Sequence, residues 1–323
     1  MKRTMIILLL TALSFPAASQ QKDSLLVMFW NLENFFDIRP HEGHCRDSLP
    51  SAGSATGATD ADFTPEGSRH WTPKRYRTKC NAVAKIIFLA SDRFGRLPDV
   101  IGFVEVENRR VLEDLVLDTP LRKLGYRSVH FDSPDRRGID CGLLYRKSSL
   151  NMTGSAPLHI YNADGKIMPT RDILLACFDS LSVLVNHHPS KVGQDSQEKR
   201  RIAMGRMRTA CDSLQESGVR RILCIGDFND NVWKTCDFPP GYTLKTSSGR
   251  SPLGTIKYEG EWEKIDGCFF EGFSKVEEYI LDEPSLLTGD SAYGGLKPRR
   301  TYSGPRWLGG VSDHLPIVIK IFY

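Results

Sequence analysis

Short apolar runs alternate with polar breaks along the chain, and the period of each run sorts it into elements. Continuous or period-two apolar runs predict strands at Leu25–Trp30, at 99–107 ("DVIGFVEVE"), at 141–146 ("CGLLYR") and at 173–178 ("ILLACF"). Further strands are predicted at 181–186 ("LSVLVN"), 220–226 ("RRILCIG"), 264–270 ("KIDGCFF") and 315–322 ("LPIVIKIF"). Three stretches have the helical period instead. One starts at Thr72, which can N-cap, with Pro73 at the first helical position and Tyr76, Cys80, Val83, Ala84 and Ile87 as its stripe. A short one is capped by Asn108 and carries Val111, Leu112 and Leu115. The third spans about 196–214, with Asp195 and Glu198 spaced as a capping box and Ala203, Met207, Ala210 and Leu214 facing inward. Strands dominate, and no repeat or linker divides them. The expected architecture is one α/β domain in which sheets pack together and helices cover the outside. Residues 39–70, centred on "SLPSAGSATGATDAD", predict a long flexible loop within it.

The N-terminus reads as a targeting segment. Lys2 and Arg3 precede an apolar run, Met5 to Leu13, too short to span a membrane, and Ala17 and Ser19 sit like a cleavage site. A signal peptide over residues 1–19 and a mature domain over 20–323 follow, with a secreted or periplasmic location. No Cys stands at the cleavage site for a lipid anchor, and no later run predicts stable membrane insertion. The net charge of +4 falls to +2 without Lys2 and Arg3. That balance admits an anionic ligand but is not the footprint of a dedicated nucleic-acid binder. Of eight cysteines, Cys80, Cys141, Cys177, Cys211, Cys224 and Cys268 lie in apolar patterns, where free Cys acts as a small hydrophobe; Cys45 and Cys236 lie in loops. A chain this long builds its own core without disulfide staples, although one or two bridges are compatible with it.

Polar residues punctuate the strand ends. Asn31 and Glu33 follow the first strand ("FWNLEN"), Glu105 ends the second, and Asp140 precedes the third. Asn186, His187 and His188 close "VNHHPSK", Asp227 and Asn229 close "IGDFND", Asp266 lies in "WEKIDG", and Asp313 and His314 open the last strand. Singly, each reads as a turn residue. Jointly, "WNLEN", "VIGFVEVEN", "RGID", "VNHHPSK", "GDFND" and "SDHLPI" resemble the successive motifs of the endonuclease/exonuclease/phosphatase superfamily over nearly the whole mature chain.

That resemblance implies a four-layered α/β sandwich, two packed, mainly antiparallel sheets flanked by helices, with a divalent-metal site at one edge. It implies Asn31, Glu33, Glu105 and Asp313 as the metal set, with Mg²⁺ as the expected ion and Mn²⁺ or Ca²⁺ as alternatives. It implies His187, Asp227, Asn229, Asp266 and His314 as catalytic residues, Asp266 orienting His314. Some relatives have Asp where Glu33 stands, many have Gln at the position of Val104, and similar secreted sequences often carry Trp at that of His188.

The chemistry needs these residue types. Phosphodiesters are anionic and resist hydroxide, so catalysis consists of neutralising charge and aligning water with the leaving oxygen. Hard oxygen ligands suit Mg²⁺. His314 and Asp227 are both candidates for the base, Asn229 for a donor to a non-bridging oxygen, and His187 for protonating the leaving oxygen. Arg171 and Lys191 are either phosphate contacts or solvated cations. "HEGHC" (41–45) reads as an exposed loop rather than a zinc site, "EKRRIAMGRMR" as the outer face of a helix, and Trp307 as a candidate lining of the cleft. The leading expectation is an exported nuclease, a monomer acting on nucleic acid or a small phosphodiester. The alternatives are a phospholipid or sugar-phosphate hydrolase and a catalytically silent binding protein. The reactive residue types at every key position argue against the last.

Overall fold

The computed structural model describes residues 24–39, 60–179, 181–231, 242–249 and 254–323. The predicted signal segment, "HEGHC", Cys45, Cys236 and Trp233 lie outside the described residues. Strand β1 (Ser24–Phe35) runs past its apolar stretch and carries Asn31 and Glu33 within it. It does so through a register shift between Asn31 and Phe35 against β2 (Val100–Val106). Next come β3 (Tyr126–His130), β4 (Asp140–Arg146), β5 (Met152–Leu158), β6 (Ile173–Phe178), β7 (Ser182–His187), β8 (Ile222–Asp227) and β9 (Tyr242–Thr246). The hairpin β10 (Ile256–Tyr258) and β11 (Glu261–Glu263) precedes β12 (Asp266–Glu271) and β13 (Lys275–Ile280). Two further hairpins, β14 (Leu287–Gly289) with β15 (Leu296–Pro298) and β16 (Tyr302–Ser303) with β17 (Arg306–Trp307), lead to β18 (Ile317–Phe322).

Two main sheets result. The larger has the order β3-β4-β2-β1-β18-β13-β9 and the smaller β12-β8-β7-β6-β5. Pairing is antiparallel except for β1 with β2, β9 with β13 and β7 with β8. Alternation along the strands builds the layers. On β7 and β8, Val183, Val185, Leu223 and Ile225 join the core between the sheets. Leu184, Ile222 and Cys224 point the other way and pack with Ala203, Met207 and Ala210 of helix α3 (Ser196–Glu216). Helices α1 (Pro73–Phe94) and α2 (Arg109–Leu117) bury their apolar stripes against the large sheet. Where the sheets face, a Cβ at Gly102 would lie 2.6 Å from the Ile225 side chain, so glycine there sets the sheet separation. The expected four-layered sandwich is thus the observed one.

The caps at Thr72 and Asn108 form as expected, their side chains accepting from Arg75 N and Val111 N. The capping box at Asp195 does not form. Asp195 adopts φ 57° and makes no side-chain cap bond, while Glu198 pairs with Arg201 at 2.6 Å, a local charge contact that competes with capping. Within the 39–70 connection, residues 60–70 are described and hold buried Phe63, stacked on Phe36 at 4.4 Å. The cysteines among the described residues are free. No helix among the described residues is long and apolar enough to cross a membrane.

Candidate active site

The motifs converge because each lies at the same end of its strand. In the small sheet Asp227 is in register with Asp266 on β12 and with His187 on β7, so three reactive side chains lie in one row across adjacent strands. Gly226 makes this row possible: a Cβ there would fall 2.5 Å from the Asn186 carbonyl oxygen. The large sheet supplies Asn31, whose Nδ2 donates to Asp227 Oδ2 at 3.0 Å and links the two sheets. Ser312 fixes the opposite edge, donating to the Asn31 carbonyl at 2.6 Å and accepting from the His314 N–H at 3.0 Å. Trp30 Nε1 donates to the His314 carbonyl at 2.9 Å.

Backbone strain is concentrated at this edge. Glu33, Asn34, Glu105 and Asn229 all have φ between 47° and 62°, a region unfavourable for side-chain-bearing residues. Glu105 lies in the shift between Val104 and Val106 against β4, and such bulges turn a side chain out of the strand alternation. Its Oε2 accepts from Asn34 N at 2.7 Å and lies 3.5 Å from Arg137 Nη2, while Oε1 lies 3.9 Å from His187 Nε2.

Electrostatics separates the two histidines. His314 Nδ1 lies 2.8 Å from Asp266 Oδ2, and Nε2 lies 3.9 Å from Asp227 Oδ2. Burial would lower its pKa, but the adjoining carboxylates, Asp266 foremost, hold it well above the usual histidine value. His187 Nε2 lies 3.7 Å from Asp227 Oδ2, yet burial, then Arg171 and Arg137, keep it well below that value and neutral. Burial, then the Asp266 charge, pushes Asp227 up to about 7. Burial and then Asp313 push Glu33 up to about 7, against Arg300 and Lys79.

The predicted site residues fall into two groups. Asn31, Glu105, His187, Asp227, Asp266 and His314 meet directly through the contacts above. Glu33 and Asp313 meet through Arg300, which lies 3.2 Å from Glu33 Oε1 and 3.0 Å from Asp313 Oδ2; the other Glu33 oxygen accepts from Thr301 N. Asn229 donates from its backbone N–H to Asp227 Oδ1 and from Nδ2 to the His188 carbonyl, so it braces the turn. Arg171 is buried, 3.1 Å from Asp135 and donating to the His188 carbonyl at 2.6 Å. Lys191 stands at the rim with Glu263 at 2.7 Å. Trp307 does not line the cleft: it packs on Trp71 and Tyr302 with ring centroids at 5.8 and 5.2 Å, and Leu308 faces the adjoining cavity instead.

Sequence reasoning missed Arg137, Arg300, Ser312 and Lys79. Arg137 and Ser312 lie in the motifs "RGID" and "SDHLPI", and Lys79 carried a signal as a lysine inside the apolar stripe of α1; it is buried and donates to the Glu33 carbonyl at 2.7 Å and Thr301 Oγ1 at 3.0 Å.

A hard cation fits this donor set. Glu105, Asp313 and the Asn31 amide offer oxygen, the last also accepting from Glu33 N at 2.9 Å, and the neighbouring carboxylates Glu33 with Asp313 and Asp227 with Asp266 are charge that a cation would relieve. Asp227, Asp266 and His314 also lie within metal-ligating distance of one another. There the 2.8 Å bond between His314 Nδ1 and Asp266 Oδ2 occupies one atom of each residue and leaves His314 Nε2 and Asp266 Oδ1 open, so the trio is placed to handle a proton as well as to meet a cation.

A sequence model described as the endonuclease/exonuclease/phosphatase family matches residues 26–237. The chain belongs to this family. It is accordingly a phosphoric ester hydrolase, of a family in which divalent-metal dependence is typical. Solved structures agree on the fold. Truncated TDP2 from Caenorhabditis elegans is similar at 15% identity and TM-score 0.52, over 93% of this chain and 98% of that one. A mannosyl-6-phosphatase from Bacteroides thetaiotaomicron is similar at 14% identity and TM-score 0.55, over 93% and 100%. A family member from Bacteroides vulgatus is similar at 15% identity and TM-score 0.52, over 93% and 99%. Curated protein sequences contain no match to the chain.

Proposed function

We propose that this chain is an exported, Mg²⁺-dependent phosphodiesterase that cleaves nucleic acid. The observation that carries this reading is the row His187–Asp227–Asp266 with His314 bonded to Asp266, set against Glu105 and Asn31. The export element rests on the basic and apolar pattern of residues 1–19.

Glu105, Asn31 and Asp313 would hold the cation, with Glu33 behind them through Arg300. Bound there, Mg²⁺ supplies charge neutralisation to the phosphate and the developing negative charge. The residues themselves divide the proton work. Asp227, poised at about 7, accepts the proton of the attacking water, and Asn31 Nδ2 fixes its orientation. In this reading His314, whose pKa the pairing with Asp266 holds well above the usual histidine value, serves as a cation rather than as the base; it presents Nε2–H to a phosphate oxygen and stabilises the extra charge of the transition state. His187 stays neutral, and its Nε2–H tautomer places the proton on the side of Asp227 and Glu105, facing the reacting group.

The test is nicking of supercoiled plasmid by the mature chain with Mg²⁺, with EDTA and His314→Ala as controls. Metal-dependent nicking that the variant loses supports the reading. Absence of nicking by folded protein, with hydrolysis of a sphingolipid or a sugar phosphate in its place, overturns it.

A further inference from the structure

Beside Asp313 the active-site edge continues into a cavity of about 500 Å³ walled by the β10–β11 and β14–β15 hairpins and the segment 299–308. A neighbouring cavity of about 650 Å³ shares Tyr293 with it and adds Trp262 and Leu296. Tyr293, Leu296 and Leu308 are 60%, 51% and 38% exposed, so this wall holds several of the large apolar side chains that the described residues leave in solvent. Tyr293 is braced rather than loose. Gly260, at φ 90°, lies so close to its ring that a Cβ there would fall 3.1 to 3.2 Å from Tyr293 atoms. The Gly294–Gly295 turn, at φ 77° and 68°, follows it.

The charges of the wall are nearly all matched. Lys257 and Lys297 both pair with Asp290, at 3.0 and 3.1 Å. Arg300 pairs with Glu33 and Asp313, and Glu259 bonds the Tyr258 hydroxyl. Arg299 differs: its guanidinium makes no hydrogen bond or ion pair among the described residues, although its backbone is held at both ends by Leu286 and Val311. A guanidinium on a fixed backbone, one residue from Arg300, is a planar fork within reach of the site and open to phosphate oxygens. An exposed, braced aromatic ring is a stacking platform for a planar base.

We propose that this wall is a nucleotide subsite for single-stranded nucleic acid, with the base next to the scissile phosphate lying on Tyr293 and the adjoining phosphate on Arg299. A duplex keeps its bases stacked on one another and would have to surrender one to reach Tyr293, so the subsite selects single strands or unpaired positions. This rests on the nuclease reading above and adds to it the form of nucleic acid and the residues that read it.

The experiment measures binding and chemistry separately. Binding of a fluorescein-labelled oligothymidylate is followed by anisotropy in EDTA for the wild-type chain, Tyr293→Ala and Arg299→Gln. Mg²⁺-dependent hydrolysis of bis-p-nitrophenyl phosphate, which has no base and no second phosphate, is followed for the same proteins. Each variant is expected to raise the oligonucleotide Kd about tenfold, and Arg299→Gln to lower the salt slope of binding by about one. Turnover of the small ester should stay within about threefold of wild type, since neither residue touches the reacting group. Unchanged oligonucleotide binding in both variants, absence of binding by the wild type, or a parallel loss on the small ester overturns the subsite. If the wild type binds the oligonucleotide and the variants do not, but none cleaves it with Mg²⁺, the subsite stands and the nuclease reading falls.

Discussion

His188 offers a prediction whose size follows from its surroundings. The ring is buried edge-on to Phe228, with centroids 5.1 Å apart. Its Nε2 has no hydrogen-bond partner among the described residues. Burial, then the positive charges of Arg171 and Arg200, pulls its pKa down to about 3. The folded protein therefore keeps His188 neutral at pH 5, whereas the unfolded chain protonates it below about 6.5. The sign follows from the proton counts. Between these two values the unfolded state binds more protons, so stability is full above pH 6.5 and is lost as pH falls. Each pH unit below 6.5 costs about 1.4 kcal/mol, which gives about 2 kcal/mol at pH 5.

His188→Phe removes the titration and keeps an aromatic edge against Phe228. Urea unfolding of both proteins in EDTA, at pH 8 and pH 5, gives four free energies. The variant can differ from wild type at pH 8 through packing alone, so the informative quantity is the difference of differences. We expect the variant to lose about 2 kcal/mol less than wild type on going from pH 8 to pH 5. His187, also held neutral, contributes its own acid sensitivity to both proteins and cancels. Equal acid sensitivity in the two proteins, within about 0.5 kcal/mol, would refute the reasoning and mean that His188 gains a proton partner in the folded state.

Four further outcomes are expected. Asp266→Asn should lower kcat on a phosphodiester by about 10² to 10⁴ with KM changed little, because His314 loses the carboxylate that fixes its tautomer and charge; steady-state kinetics checks it. Glu105→Gln should raise the Mg²⁺ concentration for half-maximal activity by at least about tenfold, read from a Mg²⁺ titration. Gly226→Ala should cost about 1–3 kcal/mol by pressing a methyl on Asn186 of β7, visible in urea unfolding, with activity falling as Asp227 shifts. Trp71→Ala should cost about 3–5 kcal/mol, since the ring is fully buried among Phe63, Tyr76 and Tyr302 and its Nε1 donates to the Phe36 carbonyl; the same unfolding curves decide it.

The sequence shows most of the sandwich because its information is local. An apolar run of strand length states its own burial, and a polar residue closing it states which end meets solvent. Asp227, Asp266 and His187 stand at such strand ends, where each alone reads as a turn residue; the family resemblance is what marks them as site residues, and the register then sets them in one row. Local patterns fail where a distant partner intervenes. The continuation of β1 through Asn31 to Phe35 depends on a bulge against β2, which no apolar period announces. Trp307 is only a candidate for the cleft from sequence, and Trp71 and Tyr302 gather it into their cluster. Arg300 reaches Glu33 across 267 residues of chain, so nothing beside it signals a role, and Arg137, although it opens the "RGID" motif, meets Asn34 across 103 residues.

Protonation is the part of the site that motifs carry least. His187 and His314 are the same residue type, both at a strand end, and both with Nε2 within 4 Å of the same oxygen of Asp227. From sequence His314 is a candidate base alongside Asp227, and His187 a candidate donor to the leaving oxygen. In the fold burial, then the charges of Arg171 and Arg137, holds the His187 pKa well below the usual histidine value, whereas Asp266 bonds the far nitrogen of His314 and holds its pKa well above that value. Asp227, between them, is left as the group that titrates near neutrality. In the proposed mechanism the division of acid from base thus follows from burial and from arginines and an aspartate that the chain brings from separate segments, not from the Gly-Asp-x-Asn and Ser-Asp-His motifs alone.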